Sequence, residues 1–353
     1  MRRIKAGLLG ATGAVGQRYV NMLSHHPFIR LEVLMGAKSA GKRYSEAVRW
    51  LFTEAVPEEI AGKQVQTAEP ESAVGCDVIY SSLPSEVAKE IEPKFAQAGF
   101  AVVSEASAHR MNPDVPLMIP EVNPEHLELL TTQRNSRGWK RGIVTTPNCT
   151  VTGLAIVLKP LVDSFSIGKA IVTTMQALSG AGFPGVPSLQ IVDNVIPYIR
   201  NEEEKVAQEA KKILGTLNGN VIIQHKIPMG ISCNRVPVID GHTETLYLEF
   251  DKPVDVEDII SALEKFRSEP QELKLPTAPE QPIIVRREVD RPQPRLDRMA
   301  GSVPGMSVVA GRLRHGIDNK SIQLTLLSHN TVRGAAGTAI LTSELMERKG
   351  YLA

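Results

Sequence analysis

The chain is poor in cysteine and in aromatic side chains, and it carries no excess of either charge. Of its 353 residues three are cysteine and 5% are aromatic, while 40 Lys and Arg nearly balance 39 Asp and Glu. Three widely spaced cysteines argue against a disulfide framework and for a reducing compartment, so we expect a cytoplasmic protein. The near-zero net charge argues against nucleic acid or an anionic membrane as a partner.

Long apolar runs are also missing. No stretch approaches the roughly 18 residues of a membrane span, and the N-terminal residues lead into a strand rather than into the apolar core of a signal peptide. The tripeptide HTE at 242–244 matches part of a zinc-deaminase signature, but no PCxxC follows it, so no metal site is expected. The length favours two domains of an ordinary globular protein.

A glycine-rich turn, GATGAVG at 10–16, lies between an apolar strand and a segment of helical periodicity. Glycines at this point allow a tight turn and a close approach of the backbone, and the helix N-terminus binds a pyrophosphate through its free N–H groups. A tight turn without a ligand is the plainer alternative. We predict a dinucleotide site whose first residues are Gly10, Thr12, Gly13, Ala14 and Val15.

The residues after the second strand, 31–35, bear on the choice of dinucleotide. An NAD site usually has an acidic residue here, whereas this chain has Lys38 and Ser39. A cation and a hydroxyl suit a 2′-phosphate, so NADP is favoured over NAD; the alternative is that Lys38 is an ordinary solvated residue. Ser82, at the end of another apolar run, is expected at the same crevice. The predicted class is α/β, with a doubly wound N-terminal sheet of the Rossmann type.

Cys149 stands at the start of a predicted helix, just after Pro147 and Asn148. Free N–H groups and the helix dipole both favour a thiolate at this position, so we expect a sulfur of low pKa. A thiolate beside a nicotinamide indicates an acylating aldehyde dehydrogenase. The alternative is that Cys149 is a small buried hydrophobic residue. The same reasoning does not decide whether Cys233 has a role.

Eight motifs in order along the chain carry a family resemblance: GATGAVG, SAGK, HRMNPDVPLMIPEVN, TTPNCT, QALSGAGFPG, IPYIRNEEEK, NRVPVIDGHTE and NTVRGAAG. With them, nearly the whole chain resembles the aspartate-semialdehyde dehydrogenases of the archaeal and fungal type. The resemblance implies NADPH-dependent reduction of L-aspartyl 4-phosphate to L-aspartate 4-semialdehyde and phosphate, a step of lysine, methionine and threonine biosynthesis.

The resemblance also implies an organisation. We expect an NADP-binding Rossmann domain over 1–147, a catalytic and dimerisation α+β domain over 148–328, and a C-terminal helix in 329–353 that packs back on the first domain. The proline-rich segment 268–305 is expected to be ordered and close to a subunit interface, so we predict a homodimer or a homotetramer.

The resemblance assigns roles at the reacting carbon. Cys149 is the expected nucleophile, which forms a thioester, and His242 is the expected acid and base, with a pKa close to the working pH. Gln176 is expected to orient the substrate. Arg235 lies seven residues before His242, which places the two on opposite faces of an unbroken strand, so a bend is expected between them.

The substrate and cofactor contacts follow from the same resemblance. Arg235 is matched with the substrate α-carboxylate, Glu202 with its ammonium, and Lys205 and Arg110 with its phosphate. Glu202 and Lys205 share a face of a predicted helix over 200–214; without the resemblance they read as a solvated surface. Asn148 is a further expected substrate contact. In the C-terminal half of the chain, the residues expected to contact the cofactor are Ser179, Gly180, Gly182 and Asn330.

Two other functions stay open. A malonyl-CoA reductase on the same scaffold uses the same thiol, histidine and NADPH, but its substrate has no ammonium for Glu202. A non-catalytic NADPH-sensing protein is the second alternative, although the retained Cys149 and His242 argue against it.

Overall fold

A computed structural model describes residues 3–352 of the chain. The strands are β1 (Ile4–Leu9), β2 (Ile29–Met35), β3 (Val78–Ser81), β4 (Ala101–Ser104), β5 (Ile143–Thr145), β6 (Ile167–Gln176), β7 (Thr216–Asn218), β8 (Val221–Ile223), β9 (Met229–Arg235), β10 (His242–Phe250), β11 (Ile283–Arg286), β12 (Val308–His315) and β13 (Ser321–Ser328). The helices are α1 (Ala14–Leu23), α2 (Tyr44–Ala47), α3 (Glu58–Ala61), α4 (Ser85–Ala98), α5 (Leu129–Arg137), α6 (Cys149–Ser164), α7 (Ser188–Ile191), α8 (Glu202–Ile213), α9 (Val256–Lys265), α10 (Glu269–Glu272), α11 (Pro294–Asp297) and α12 (Gly337–Arg348). None of the described helices combines the length and the apolarity that a bilayer crossing requires.

The N-terminal part contains a five-stranded parallel sheet in the order β2-β1-β3-β4-β5. Its strands are buried on both faces, which is why they read as continuous apolar runs. Helices α1 and α12 share one core with the sheet, and α4 packs on the opposite face. This confirms the predicted Rossmann-like, doubly wound class. The strand order reverses between β1 and β3, which is where such sheets bind ligands.

The C-terminal part contains a mixed six-stranded sheet in the order β11-β12-β13-β10-β6-β9. Of β12, β13, β10 and β6, each strand is antiparallel to the next, and the outer strands β9 and β11 are parallel to their neighbours. Strand β10 alternates buried and half-buried residues, because α6, α8 and α9 cover only one face. The second part of the predicted fold, an α+β domain, is confirmed.

The proline-rich segment 268–305 is ordered. It contains α10, β11 and α11, and β11 pairs in parallel with β12 over four residues. Ser268 caps α10 with a capping box, in which the Gln271 side-chain oxygen accepts a hydrogen bond from the Ser268 backbone N–H. The apolar residues that interrupt the prolines therefore place this segment in the sheet.

Candidate active site

The glycine turn forms the start of a crevice at the β1/β3 switch point. Gly10 has φ +77°, and a Cβ there would lie 2.8 Å from the Ser82 Oγ. The Ser82 hydroxyl in turn donates to the backbone oxygens of Leu9 and Gly10. Gly13 caps α1 without a side-chain hydrogen bond, and the first turn of α1 has no acidic residue. The backbone N–H groups at this helix start are thus available to an anion.

A cavity of about 280 Å³ joins this turn to the C-terminal part of the protein. Ala14 lines it from α1, while Ser179 and Gly182 line it from the loop that follows β6. Three predicted cofactor residues that are distant in sequence therefore meet at one cavity. At the end of β2, Lys38 is exposed and Ser39 half-buried, and the Ser39 hydroxyl fills the space beside Gly36.

Helix α6 carries the candidate nucleophile at its first residue. Asn148 is the N-cap, and its side-chain oxygen accepts a hydrogen bond from the backbone N–H of Thr150 at 2.8 Å. Cys149 follows at the helix start, as predicted, and its Sγ lies 3.1 Å from the His242 Nε2. The two expected catalytic groups are therefore in hydrogen-bond contact.

Electrostatics at this pair differ from the prediction. Burial raises the pKa of the Cys149 thiol to about 12, and Glu202 adds to the rise, while Arg110 and Arg235 oppose it. Burial, with Arg235 and His329 close by, lowers the pKa of His242 to about 3. Both directions are opposite to those expected for a cysteine at a helix start and for a histidine that titrates near the working pH, because desolvation disfavours the charged form of each group.

The sheet brings His242, Gln176 and Arg235 to one end of the molecule. His242 begins β10, and Gln176 and Arg235 end the adjacent strands β6 and β9, where they face each other. All three are at least 93% buried and point toward the face that α6 covers. The expectation that a bend within one strand joins Arg235 and His242 is wrong, because they belong to two strands on opposite sides of β6.

Helix α8 approaches the nucleophile from the side. The Glu202 carboxylate accepts a hydrogen bond from the Asn148 Nδ2 at 2.9 Å, so it lies beside the start of α6. Lys205, one turn later, is half-buried and forms no salt bridge within residues 3–352. Of the predicted pair Glu202 and Lys205, the structure therefore places the Glu202 carboxylate beside the nucleophile.

Arg110 is placed differently from a free phosphate-binding cation. Its Nη1 is 3.0 Å from the Glu209 carboxylate, and its Nη2 donates to the Glu105 carbonyl. Only its Nε is buried without a partner. To bind a phosphate through its terminal nitrogens, Arg110 has to exchange one of these acceptors.

Glu209 and Lys212 are two positioning residues that the sequence reasoning missed. Glu209 bridges Arg110 and the backbone N–H of Asn148, which is 2.7 Å from its Oε2. The Lys212 ammonium donates to the carbonyls of Arg110, Asn112 and Val115 at 2.6–2.9 Å. Their spacing of seven and ten residues from Glu202 marks one helix face, and that periodicity is the signal that could have found them.

The segment after β13 closes the site from the other side. Asn330 donates to the Ser179 hydroxyl at 2.7 Å and accepts from the backbone N–H of Gly241 at 2.9 Å. Gly180 packs so closely that an added Cβ would lie 2.8 Å from Arg235 Nη1 and 3.0 Å from His242 Cε1. A short π-helix, Val332–Ala336, packs Gly334 against the nucleophile: a Cβ added at Gly334 would lie 2.7 Å from the Cys149 Cβ.

No group of three or more metal-ligating side chains is present within residues 3–352. The protein combines a parallel sheet of the dinucleotide-binding type with a cysteine at a helix start and a histidine in contact with the cysteine sulfur. This combination defines an oxidoreductase of the acylating aldehyde dehydrogenase class.

Comparisons with known proteins agree with this class. Two family models match: the NAD binding domain of semialdehyde dehydrogenase over residues 5–130 and its dimerisation domain over 158–333. The aspartate-semialdehyde dehydrogenase of Archaeoglobus fulgidus is 51% identical over 98% of both chains. A malonyl CoA reductase (NADP) of Metallosphaera sedula is 46% identical over 99% of both. The crystal structure of the Candida albicans aspartate-semialdehyde dehydrogenase with NADP superposes with a TM-score of 0.91, at 41% identity over 99% of both chains.

The chain therefore belongs to the aspartate-semialdehyde dehydrogenase family, with archaeal and fungal relatives.

Proposed function

We propose that the protein reduces L-aspartyl 4-phosphate to L-aspartate 4-semialdehyde and phosphate with NADPH, as a step of aspartate-family amino-acid biosynthesis. The observation that carries this function is the Cys149 Sγ at 3.1 Å from His242 Nε2, flanked by Arg235 and by the Glu202 carboxylate. An anion for an ammonium and a cation for a carboxylate are the charges that an aspartyl group needs.

The residues fit a dinucleotide. A Cβ at Gly10 would collide with Ser82, so only glycine allows this tight turn, and the start of α1, which has no side-chain cap, offers N–H groups to a pyrophosphate. Lys38 and Ser39 suit a 2′-phosphate, and a relative binds NADP in its crystal structure. When bound, the reduced nicotinamide supplies the hydride. The protein's part is to hold it through Ser179, Gly180, Gly182 and Asn330 beside Cys149.

The substrate contacts form a cup around the sulfur. Arg235 takes the α-carboxylate with its guanidinium, Glu202 and the Asn148 amide take the ammonium end, and Lys205 takes the phosphate together with Arg110. Gln176 is buried beside Arg235 and orients the reacting carbonyl. Cys149 attacks the carbonyl carbon, phosphate leaves, and the acyl group remains on the sulfur as a thioester.

Malonyl-CoA reduction is the second candidate, because a relative of nearly the same identity carries that activity in its name. Its substrate offers no ammonium. Glu202, hydrogen-bonded to Asn148 beside the nucleophile, therefore favours the aspartyl substrate. A non-catalytic NADPH sensor is disfavoured, since it has no use for a Cys149–His242 contact.

Two assays run side by side test the substrate. We expect phosphate-dependent reduction of NADP with L-aspartate 4-semialdehyde, and little oxidation of NADPH with malonyl-CoA; activity with the thioester alone would overturn the choice. Glu202→Gln is expected to raise the KM for the semialdehyde about tenfold or more, the effect of a lost charged hydrogen bond. Glu204→Gln, on the exposed side of α8, is the matched control and leaves the KM unchanged.

The proposed assembly is a homodimer, either alone or paired into a tetramer, built on the face of the six-stranded sheet that none of the described helices covers. Ile171 on that face is 49% exposed, and the neighbouring segment 188–198 exposes Leu189 (96%), Val192 (64%) and Tyr198 (62%). Apolar exposure of this extent is typical of an interface. The family model of the dimerisation domain matches residues 158–333, which include these exposed residues, and this supports an interface in the same part of the chain.

The domain boundaries 1–147, 148–328 and 329–353 remain a prediction, supported by the end of β5 at Thr145, the start of α6 at Cys149 and the place of α12 in the N-terminal core. A cytoplasmic location is likewise proposed, and the free thiols of Cys76, Cys149 and Cys233 support it.

A further inference from the structure

Glu105, the residue that follows β4, contacts three separate parts of the protein. Its Oε1 accepts a hydrogen bond from the Tyr19 hydroxyl of α1 at 2.6 Å, and its Oε2 accepts one from the Thr146 hydroxyl at 2.7 Å. Its backbone carbonyl accepts a hydrogen bond from Arg110 Nη2. One carboxylate thus joins residues that lie 86 and 41 positions away from it in the sequence.

Both hydroxyls that bind the Glu105 carboxylate are held firmly by their surroundings. Tyr19 is fully buried, and its ring centroid lies 4.8 Å from that of Tyr80. Burial and the neighbouring Glu105 raise the pKa of Tyr19, so its hydroxyl keeps its hydrogen and donates it. Thr146 is also fully buried, and its backbone N–H donates to the Ser104 carbonyl at 2.9 Å. The carboxylate therefore connects two groups that are fixed to their own elements.

Thr146 lies three residues before the nucleophile. Asn148 caps α6 and Cys149 begins it, so only Pro147 separates Thr146 from the helix cap. A proline fixes its own φ and restricts the backbone of the residue before it. A displacement of Thr146 is therefore transmitted to the helix start rather than absorbed between them.

We propose that Glu105 is a positioning residue, which sets the distance between the Cys149 sulfur and a nicotinamide held at the start of α1. Glu209 anchors the segment 146–149 to α8, on the substrate side, whereas Glu105 anchors it to the helix that begins at the glycine turn. The catalytic part of this inference rests on the proposed function. The link from Tyr19 through Glu105 to Thr146 does not.

The distance between sulfur and nicotinamide affects hydride transfer more than binding. A misplacement of about 1 Å can cost about 10²-fold in the rate of a reaction between bound groups. Neither hydroxyl of the link is free for a ligand, because Glu105 engages both. Loss of the link should therefore slow hydride transfer and leave the KM for the semialdehyde and the Kd for NADPH close to their wild-type values.

Four substitutions that each remove one buried hydroxyl test this role. Tyr19→Phe and Thr146→Val break the link from its two sides. Tyr80→Phe and Thr145→Val are the matched controls, because both residues are also fully buried and their hydroxyls form hydrogen bonds elsewhere. The readout is single-turnover formation of NADPH from L-aspartate 4-semialdehyde and NADP without phosphate, a step in which Arg110 has no phosphate to bind. The Kd for NADPH and the urea midpoint are measured alongside.

The expected results separate position from stability. All four variants should shift the urea midpoint to a similar extent, since each loses one buried hydrogen bond. Only Tyr19→Phe and Thr146→Val should slow NADPH formation, by about tenfold, with the Kd for NADPH within about twofold. Their double variant should be no slower than either single one, because both hydroxyls act through the same carboxylate. Unchanged rates in the link variants, or equal slowing in the controls, would overturn the proposal.

A conservative change at Glu105 provides a rescue. A glutamine carboxamide can accept a hydrogen bond from one hydroxyl and donate to the other, so Glu105→Gln should retain the rate of NADPH formation within about threefold. Glu105→Ala should be as slow as the two link variants. Equal losses in Glu105→Gln and Glu105→Ala would mean that the charge matters rather than the link, and would overturn the positioning role.

The outcomes also separate this inference from the proposed function. If the wild type forms no NADPH from the semialdehyde, the proposed function is wrong, and alkylation of Cys149 then tests the link alone. Iodoacetamide should modify Cys149 about threefold faster in the link variants than in the two controls, because a loosened helix start exposes the half-buried thiol. Equal alkylation rates in all four variants would overturn the inference, whatever the substrate is.

Discussion

At the scale of single residues, two opposing effects determine the state of Cys149. A helix N-terminus stabilises a negative charge by about 0.3–1 kcal/mol, which is less than one pKa unit at about 1.36 kcal/mol per unit. Burial acts in the opposite direction and moves the pKa of a group by up to about 3–5 units when the group is fully buried; Cys149 is half-buried at the start of α6. The larger effect wins, and the pKa of the thiol rises to about 12. The position of the cysteine was predictable from sequence, whereas its ionisation depends on what the fold packs around it.

Alkylation kinetics provide a measurement of this state. Because the pKa of Cys149 is raised, its thiolate fraction is very small at pH 7, and the rate of its reaction with iodoacetamide should rise about tenfold per pH unit from 7 to 9. Peptide mass spectrometry assigns the modified site, with Cys76, whose pKa is about 11, as the internal comparison. A rate at Cys149 that is already constant between pH 6 and 8 contradicts the raised pKa.

At the scale of elements, α8 shows what periodicity reveals and what it leaves out. The amphipathic pattern over 200–214 predicted the helix, which the structure has at Glu202–Ile213. Glu209 and Lys212 were not singled out, since a charged residue on a helix gives the same sequence pattern whether it faces water or buried carbonyls. The separation of β9 and β10 was missed for a related reason: strand pairing depends on partners distant in sequence, such as β6.

The buried polar face of α8 gives a prediction about the loop that carries Arg110. Lys212→Met leaves the carbonyls of Arg110, Asn112 and Val115 without their donor, so we expect a loss of about 2–5 kcal/mol in the free energy of unfolding. The KM for phosphate should rise more than the KM for the semialdehyde. Urea unfolding and steady-state kinetics measure both.

Lys211→Met is the matched control for that experiment. Lys211 is the preceding residue on α8, is half-buried, and is expected to leave stability within about 0.5 kcal/mol of the wild type. Equal behaviour of the two variants would show that the three carbonyl contacts of Lys212 are unimportant.

At the scale of the whole molecule, the glycine turn could be predicted from sequence alone, whereas the arrangement of residues around Cys149 could not. The glycine turn is contained in seven residues, so its strand, turn and helix could be predicted from sequence. The cup around Cys149 draws on β6, β9, β10, α6 and α8, and only a family resemblance brought these residues together in advance. The open face of the six-stranded sheet could not be predicted, because one-sided burial becomes visible only once the strands are ordered.

The proposed dimer gives the prediction at this scale. Leu189→Asp and Ile171→Asp place a charge on the proposed interface, and each should shift the mass measured by analytical ultracentrifugation toward the monomer. Val74→Asp, 80% exposed in the N-terminal part, is the control and should leave the mass unchanged. A wild-type-like mass for both interface variants would place the contact elsewhere.

A single-turnover experiment tests the central claim, that Cys149 carries the acyl group as a thioester. The protein is mixed with L-aspartate 4-semialdehyde and NADP without phosphate, and NADPH and the modified peptide are measured. We predict a burst of one NADPH per active subunit, an aspartyl group on the peptide that contains Cys149, and release of that group when phosphate is added. Absence of the burst, an acyl group on another residue, or unchanged turnover in Cys149→Ser would contradict the account.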